Sequence, residues 1–409
     1  MSTGAVPTAQ SSSRHLERRP RRRLGSAAVA GLAAALATAL AGTPALAAPR
    51  RAAHGTAVAH KAKGKKKRLS QANITVTGNY TADMLPAWVA ENAGFFKKNG
   101  LNAQIVNSSG GSASGAIAAF IGNHEDFLLT ATPTEMAARQ AGEPVIAVYN
   151  VRRGGPFWIT ISSSVARAKG IPSAGSTPAQ ARKQLAALRR THLTVAVTSL
   201  AAPAYDYAVA VFRQNGVSYG PNGDVTFVPV GNASAQQAAV EHGTTDALVN
   251  DPPTAVLPGT VTINLGLLPP VASADTLYAV TTVSFLRAHR DSVQAFVNAL
   301  TEAWAWAHEH PTLAERISDA YNKTIDITDP TALSKIFHGD YDFWVGPSMT
   351  LGGFTTAERI ANMGIKGSTL SVTYGQLVDN VFVKNALRQL PAYLRNKLPA
   401  SLRRALRGG

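Results

Sequence analysis

A run of glycine and serine residues at positions 108–112 is the part of this sequence best suited to bind a ligand. It follows a predicted strand over 101–107 and precedes a predicted helix. At a helix start, backbone N–H groups and hydroxyls point outward, and negative charge is favoured. The run therefore predicts a site for a small anionic group, the alternative being a plain turn. Its members are Ser108, Ser109, Gly110, Gly111 and Ser112.

Other candidate ligand-binding residues also follow predicted strands. Most are small or polar; one arginine could pair with an acidic ligand, and one tryptophan could stack on a ring. The candidates are Asn79, Tyr80, Thr132, Arg153, Trp158, Thr198, Ser199, Ala202, Asn250 and Asp251. The alternatives are turns or helix caps for the polar residues, solvation for the arginines at 152–153, and hinge packing for the tryptophan.

Residue types for several other chemistries are absent or scattered. The chain has no cysteine, which excludes disulfides, thiolate metal sites and a cysteine nucleophile. His, Asp and Glu residues show no metal-ligand spacing, so we expect no metal and no cofactor. No nucleophile-elbow pattern with suitable partners stands out. We therefore expect no catalytic residues and a protein that is not an enzyme.

Predicted strands alternate with predicted helices along most of the chain. In the first part the strands cover 73–77, 101–107, 126–129 and 145–149. This alternation is typical of βαβ units with a parallel sheet. Ligands bind outside the carboxyl ends of such strands, which is where the candidates of this part lie.

A second stretch, 230–254, repeats the pattern of the stretch that begins at 106. Both read strand, Gly with small polar residues, short helix, Gly, Asp, apolar pair and Pro-Thr. Asp126 precedes Pro133 by seven positions, and Asp246 precedes Pro253 by seven. The repeat indicates two lobes of similar build, or convergence of two β-turn-α units on one pattern.

Length and charge indicate two folded lobes between basic ends. A chain of 409 residues exceeds what one compact core usually holds, and its 45% hydrophobic content suits a globular protein. Residues 1–68 contain 14 Lys or Arg and one acid, and 383–409 contain seven and none. The segment between them has a net charge of −4. An acidic folded part argues against a nucleic-acid partner.

The first 47 residues have the features of a secretory signal. An arginine-rich segment precedes an apolar run over 27–40 and a small-residue site at 45–47. The run is shorter than the roughly 20 residues that span a bilayer. We therefore expect cleavage near Ala47 rather than a membrane anchor. The mature protein should be secreted, periplasmic or on the cell-envelope exterior, and without a cysteine it should not be a lipoprotein.

Two basic segments flank the predicted lobes. Residues 48–70 are expected to form a disordered linker and 386–409 a basic C-terminal tail, since neither contains enough apolar surface to bury. In the simplest interpretation, both basic segments are exposed to solvent and bind nothing. Weak contact with anionic membrane or wall polymer is the alternative.

Several motifs carry a resemblance to a known family. They are Pro86 to Leu101, which contains GFFKKNGL, Ala116 to Asp126, Ala137 to Val145, and Asp246 to Pro252. On these motifs the chain from about 72 to 385 resembles the solute-binding proteins of ABC importers, in the nitrate/sulfonate/taurine and thiamine-precursor branch. It departs from the family in an insert around 165–178 and in its basic ends.

The resemblance implies an α/β fold of the periplasmic-binding-protein type II. Each lobe would hold a mixed, mostly parallel sheet flanked by helices, with the ligand cleft between the lobes. We expect lobe 1 over 71–161, lobe 2 over 162–275, and a return to lobe 1 with C-terminal helices over 276–385.

The implied function is capture of a small organic or inorganic anion or a heterocycle, such as a sulfonate, taurine, nitrate or a thiamine precursor. Closure about a hinge would bury the ligand and present it to an ABC importer permease. We expect a monomer. The alternatives are a ligand-binding or sensor module without transport and an enzyme on the same fold. The related enzymes depend on cysteines, which this chain lacks.

Overall fold

The computed structural model describes residues 72–78, 84–107, 113–155, 157–173, 177–250, 257–322, 346–364 and 369–396, together with 398 and 403. The expected signal peptide and linker lie outside these residues. Across the described ranges, no helix is long and apolar enough to cross a membrane.

The strands, in chain order, are β1 Ala72–Gly78, β2 Leu101–Asn107, β3 Phe127–Ala131, β4 Val145–Arg153, β5 Trp158–Ser162, β6 Leu193–Val197, β7 Val225–Pro229, β8 Ala247–Asn250, β9 Thr260–Asn264 and β10 Asp275–Thr282. The helices are α1 Leu85–Asn92, α2 Phe95–Lys98, α3 Ala113–Gly122, α4 Thr132–Gln140, α5 Ser163–Ala168, α6 Pro178–Ala187, α7 Pro203–Asn215, α8 Ala233–Glu241, α9 Val283–Ala288, α10 Arg290–Glu309, α11 Pro311–Asn322, α12 Leu351–Gly364, α13 Tyr374–Leu377, α14 Val381–Gln389 and α15 Ala392–Arg395.

Two five-stranded sheets form the two lobes. The first has the order β2-β1-β3-β10-β4, and the second has the order β7-β6-β8-β5-β9. In each sheet one strand, β10 or β5, runs antiparallel to both of its neighbours, and the other strand pairs are parallel. The expected α/β fold with two mixed, mostly parallel sheets is confirmed.

The two lobes repeat one topology, as the sequence repeat indicated. Asp126 and Asp246 occupy equivalent places, each just before the third strand of its sheet. The Asp126 carboxylate accepts the backbone N–H of Thr75 on β1 at 2.7 Å, and the Asp246 carboxylate accepts that of Thr194 on β6 at 2.8 Å. The repeated Asp in the sequence is therefore a structural feature that ties the third strand to the first.

The first sheet is buried on both faces. One face packs against α1, α2, α10 and α14, where Phe127 stacks on Phe296 with ring centroids 3.8 Å apart. The other face packs against α3, α4, α12 and α13 through residues such as Leu128 and Met136. Strands buried on both faces read as continuous apolar runs, which is what 127–129 and 145–149 show.

Helix α12 joins the two lobes. It packs against α7 of the second lobe and against α4 and β10 of the first. Phe354, Ala357 and Ile360 of α12 belong to a single apolar cluster that includes residues of both sheets. At its end, Gly364 lies directly against Asp206 in the first turn of α7, with no room for a Cβ.

The structure differs from the expected segment boundaries in two places. Strand β5 pairs with β8 and β9, so the chain leaves the first sheet after Arg153, ahead of the boundary expected at 161. At the other end, Leu390, Leu394 and Leu398 are buried in the apolar cluster around α10. Packing thus continues into the expected basic tail, because leucines recur there every four residues.

We expect Asp246→Ala to lower the free energy of unfolding by about 1.5–3 kcal/mol, measured by urea denaturation. The change leaves the Thr194 N–H and Oγ1 without their shared acceptor, which lies 2.8 and 2.9 Å away. Glu241→Ala, at the exposed end of α8, is the control and should change stability by less than about 0.5 kcal/mol. Equal stability of the two variants would contradict this role for Asp246.

The protein should lose stability as pH rises towards 8, partly through Asp206. Burial raises the pKa of this carboxyl from 3.8 to about 8. The folded state therefore holds a proton that the unfolded state releases, which lowers stability between those two pH values by up to about 1.4 kcal/mol per pH unit. Asp206→Asn should flatten the fall in melting temperature, and the exposed control Asp291→Asn should not. An unchanged slope in Asp206→Asn would refute this assignment.

Candidate functional site

The carboxyl edges of both sheets lie beside the two chain crossovers between lobes. Arg153, the last residue of β4, pairs with Asp275, the first residue of β10. In the second lobe, Trp158 at the start of β5 pairs with Asn250 and Asn264 at the ends of β8 and β9. Because the chain crosses at these edges, the carboxyl ends of the parallel strands face the space between the lobes.

The described candidates all lie at these two edges. The seven are Thr132, Arg153, Trp158, Thr198, Ser199, Ala202 and Asn250. The other eight lie outside the described residues: Asn79, Tyr80, Ser108, Ser109, Gly110, Gly111, Ser112 and Asp251. Their ligand-binding role stays a prediction.

The second lobe presents small groups between β6 and α7. Ser199 is exposed, Thr198 is partly exposed, and Ala202 stands at the N-cap of α7 without a side-chain cap. The Ser199 hydroxyl accepts the Ala201 N–H at 3.3 Å. Helix α7 begins at Pro203, which has no N–H, and the Tyr205 N–H donates to Ala202 O at 3.0 Å. The segment therefore contributes its hydroxyls, not a row of free N–H groups, to the cleft edge.

Asn250 is held in place from behind by α8. Its side-chain amide donates to the side-chain oxygen of Gln236 at 2.6 Å. The side-chain amide of the buried Gln236 in turn donates to Ala196 O at 3.1 Å. Gln236 therefore connects the ends of two strands and fixes the Asn250 side chain at the edge. A side chain fixed in this way is pre-organised for a ligand.

Trp158 packs rather than presenting its ring to the cleft. It is 2% exposed and belongs to a small cluster with Ala196, Ala239, Val240 and Leu248, between the second sheet and α8. The packing alternative therefore describes this tryptophan better than ring stacking on a ligand.

Arg153 is 25% exposed, and its guanidinium has protein partners. Its Nε lies 2.6 Å from the carboxylate of Asp275, which has no exposed surface. Its terminal nitrogen donates to Ser348 O at 3.1 Å and to Thr350 Oγ1 at 3.2 Å. The neighbouring Arg152 is buried and donates to Thr276 Oγ1 at 2.9 Å. The solvation alternative therefore does not describe Arg152, which is buried, and Arg153 is only partly exposed to solvent.

We call the contacts of Arg153 and Asp275 the hinge clasp. The Asp275 carboxylate also accepts the Thr350 N–H at 2.9 Å and the Tyr278 hydroxyl at 3.1 Å. Gly353 of α12 lies against this carboxylate with no room for a Cβ. Burial raises the pKa of Asp275, and the Arg153 charge opposes that rise. The clasp therefore binds the end of β4, the start of β10 and the start of α12 where the chain crosses between lobes.

Thr132 begins α4 at the carboxyl edge of the first sheet, as expected. It has no exposed surface, and its hydroxyl has no hydrogen-bond partner among the described residues. Three positions later, Glu135 is also fully buried, and both of its carboxyl oxygens lack a partner in the described structure. Burial raises the pKa of Glu135 well above its usual value.

Glu135 and Asp275 were not among the sequence candidates. Glu135 stands at helical spacing from Thr132, so a search for polar residues on the same helix face would have found it. Asp275 has no comparable signal, because its partner Arg153 is 122 positions earlier in the chain. In the described part of the chain, no group of three His, Asp or Glu residues is placed to hold a metal ion.

We expect Arg153→Met to cost about 3 kcal/mol of stability at pH 7.5, measured by chemical denaturation. It would leave the buried Asp275 without its positive partner. The cost should be smaller at pH 5 than at pH 7.5, because burial raises the pKa of Asp275 and protonation removes its unpaired charge. The double variant with Asp275→Asn should recover part of the loss. A cost under about 1 kcal/mol that is equal at both pH values would contradict the clasp.

Solved structures with the same fold include binding proteins and one enzyme. The nitrate-binding protein NrtA from Synechocystis PCC 6803 is 15% identical, with a TM-score of 0.56 over 82% of this chain and 92% of its own. The aliphatic sulphonate-binding protein SsuA from Escherichia coli is 13% identical, with a TM-score of 0.52 over 71% and 86%. The desulfurization enzyme DSZB is 14% identical, with a TM-score of 0.53 over 78% and 99%.

These likenesses confirm the expected periplasmic-binding-protein fold. No curated protein matches the sequence. A family match covers residues 67–320, which is more than half of the 409 residues. It confirms the resemblance drawn from the sequence motifs: the protein belongs to the NMT1-like family.

Proposed function

We propose that this protein is an extracytoplasmic solute-binding protein that delivers its ligand to the permease of an ABC importer. The observation that carries the proposal is the pair of equivalent lobes whose carboxyl edges face each other across two short crossovers. Such an architecture can close on a small molecule by a change at a few crossover residues. Signal cleavage near Ala47 would place the mature chain outside the cytoplasm.

The ligand would be a small organic or inorganic anion or a heterocycle. Similar folds include one protein named for nitrate and one named for aliphatic sulphonates. Thr198, Ser199 and Asn250 offer hydrogen bonds at the carboxyl edge of the second sheet, and Thr132 lies at that of the first. The eight candidates outside the described residues would complete the site.

A binding module without transport is the second candidate. The absence of a cysteine for lipid attachment favours it, because the protein would then need another means of staying near a permease. Loss of solute uptake on deletion of the gene would support the importer role, and unchanged uptake would support the binding module.

A thermal-shift screen of the mature chain tests the binding function. Sulfonates, taurine, nitrate and pyrimidines are the probes, and a bound probe at a hundred times its Kd should add about 2.7 kcal/mol of stability. Ser199→Trp should abolish the shift by filling the cleft edge. Ser164→Trp is the matched control. Ser164 is exposed in the same lobe, but it follows the end of β5 that lies away from the carboxyl edge of the sheet.

Two results would contradict the proposal. One is the absence of a shift with every probe, together with no solute recovered from the purified protein. The other is a shift that survives Ser199→Trp, which would remove the second carboxyl edge from the site.

A further inference from the structure

The first turn of α4 contains buried polar atoms that the fold does not satisfy. Thr132 Oγ1 and both carboxyl oxygens of Glu135 have no hydrogen-bond partner among the described residues, and neither residue has exposed surface. Leaving a buried polar group unsatisfied is unfavourable, and each such group in a native protein calls for an explanation, a functional role being one. Stability of the fold therefore does not account for the pair.

The pair lies at the cleft edge. Helix α4 starts directly after β3, and Thr132, Glu135 and Met136 are buried in its first turns. Met136 enters the apolar cluster that includes residues of both sheets, whereas the two polar residues precede it on the side of the carboxyl edge. Ala131, the residue before Thr132, pairs with Leu277 on β10, two residues after Asp275 of the hinge clasp. The start of α4 therefore lies close to the clasp along the edge of the sheet.

Positive charge is scarce around this position. Arg152 and Arg153 are the cations at the end of β4, and both already donate to protein acceptors. The first turn of α4 carries Glu135 and no Lys or Arg, and the described segment 198–202 at the second carboxyl edge contains no Lys or Arg either. Among the described residues of these edges, an anion would meet the Glu135 carboxyl and two arginines that already have protein acceptors.

Helix starts alone stabilise an anion only modestly, and a nearby carboxylate opposes its binding. A ligand with N–H donors avoids this conflict, because carboxyl and hydroxyl oxygens accept such donors directly. We propose that the solute presents N–H groups, as an amine, an amidine or an amino-substituted heterocycle does, and that Glu135 and Thr132 accept them. This inference rests on the proposed solute-binding function and selects among its ligands.

The chemistry of Glu135 fits such a ligand. Burial raises the pKa of its carboxyl, and a cationic amine would oppose that rise by favouring the ionised form. The ionised carboxyl accepts N–H donors and has none of its own. A ligand without N–H groups therefore leaves the ionised carboxyl unpaired, and such a site rejects it.

Calorimetric titration of the purified mature chain tests the inference. The probes are 4-aminopyrimidine, benzamidine and putrescine as N–H donors, and ethanesulfonate and nitrate as anions. We expect binding of at least one N–H donor and a Kd at least tenfold weaker for both anions. Solute released by heat from freshly purified protein is identified by mass spectrometry, and we expect it to contain N–H groups.

Two near-isosteric variants separate recognition from folding. Glu135→Gln should weaken the bound N–H probe about ten- to hundredfold, and Thr132→Val about three- to tenfold. Neither should lower the melting temperature of the empty protein, because the atoms removed have no hydrogen-bond partner in the described part of the chain. Glu143→Gln, just beyond the other end of α4, is the control and should bind like the wild type.

The outcomes distinguish the inference from the proposed function. Tighter binding of anions, or a Kd unaffected by both variants, would overturn the inference and leave solute binding intact. A released solute without N–H groups would do the same. No binding of any probe and no released solute would contradict the proposed function, and the inference with it.

Discussion

The ion pair between Arg153 and Asp275 is the interaction on which the arrangement of the two lobes depends. It joins the last residue of β4 to the first residue of β10, the two points where the first sheet connects to the second. The Thr350 N–H and the Tyr278 hydroxyl also donate hydrogen bonds to the Asp275 carboxylate. A buried carboxylate is tolerated only with such partners, so the clasp fixes the crossovers in one geometry. Movement of the lobes must then occur in the short segments beyond it.

Those segments have the properties of a hinge. Gly154 directly follows Arg153 and has a φ of 69°, a conformation that other residues rarely adopt. Its N–H donates to Ala274 O at 2.7 Å, so the two crossovers are bonded to each other. Helix α12 packs against both lobes. Gly353 near its start lies against Asp275, and Gly364 at its end lies against Asp206. A rigid clasp with a glycine beside it confines the change in backbone angles to a few residues.

Much of the fold could be predicted from the sequence, because strand and helix periodicity, glycine turns and the repeated Asp-to-Pro spacing are local signals. The repeat at Asp126 and Asp246 predicted two similar lobes, and the strand-end rule placed Thr132, Thr198, Ser199 and Asn250 at the two carboxyl edges. The clasp could not be predicted, since residues 122 positions apart meet only through sheet pairing. Trp158 shows the converse limit: an aromatic residue at a strand end is equally suited to a ligand or to a neighbouring helix, and only the packing of α8 distinguishes them.

Closure of the two lobes on a ligand is the central claim, and a distance between lobes measures it most directly. The strands β2 and β7 lie farthest from the crossovers in their sheets, so their separation should change most. Because the chain has no cysteine, Asn102→Cys and Asn222→Cys, both at exposed positions near these strands, give a single labelled pair for energy-transfer measurements. We predict that saturation with a ligand identified by thermal shift moves the pair into a single, shorter-distance population. An unchanged distance distribution at saturation would contradict the account.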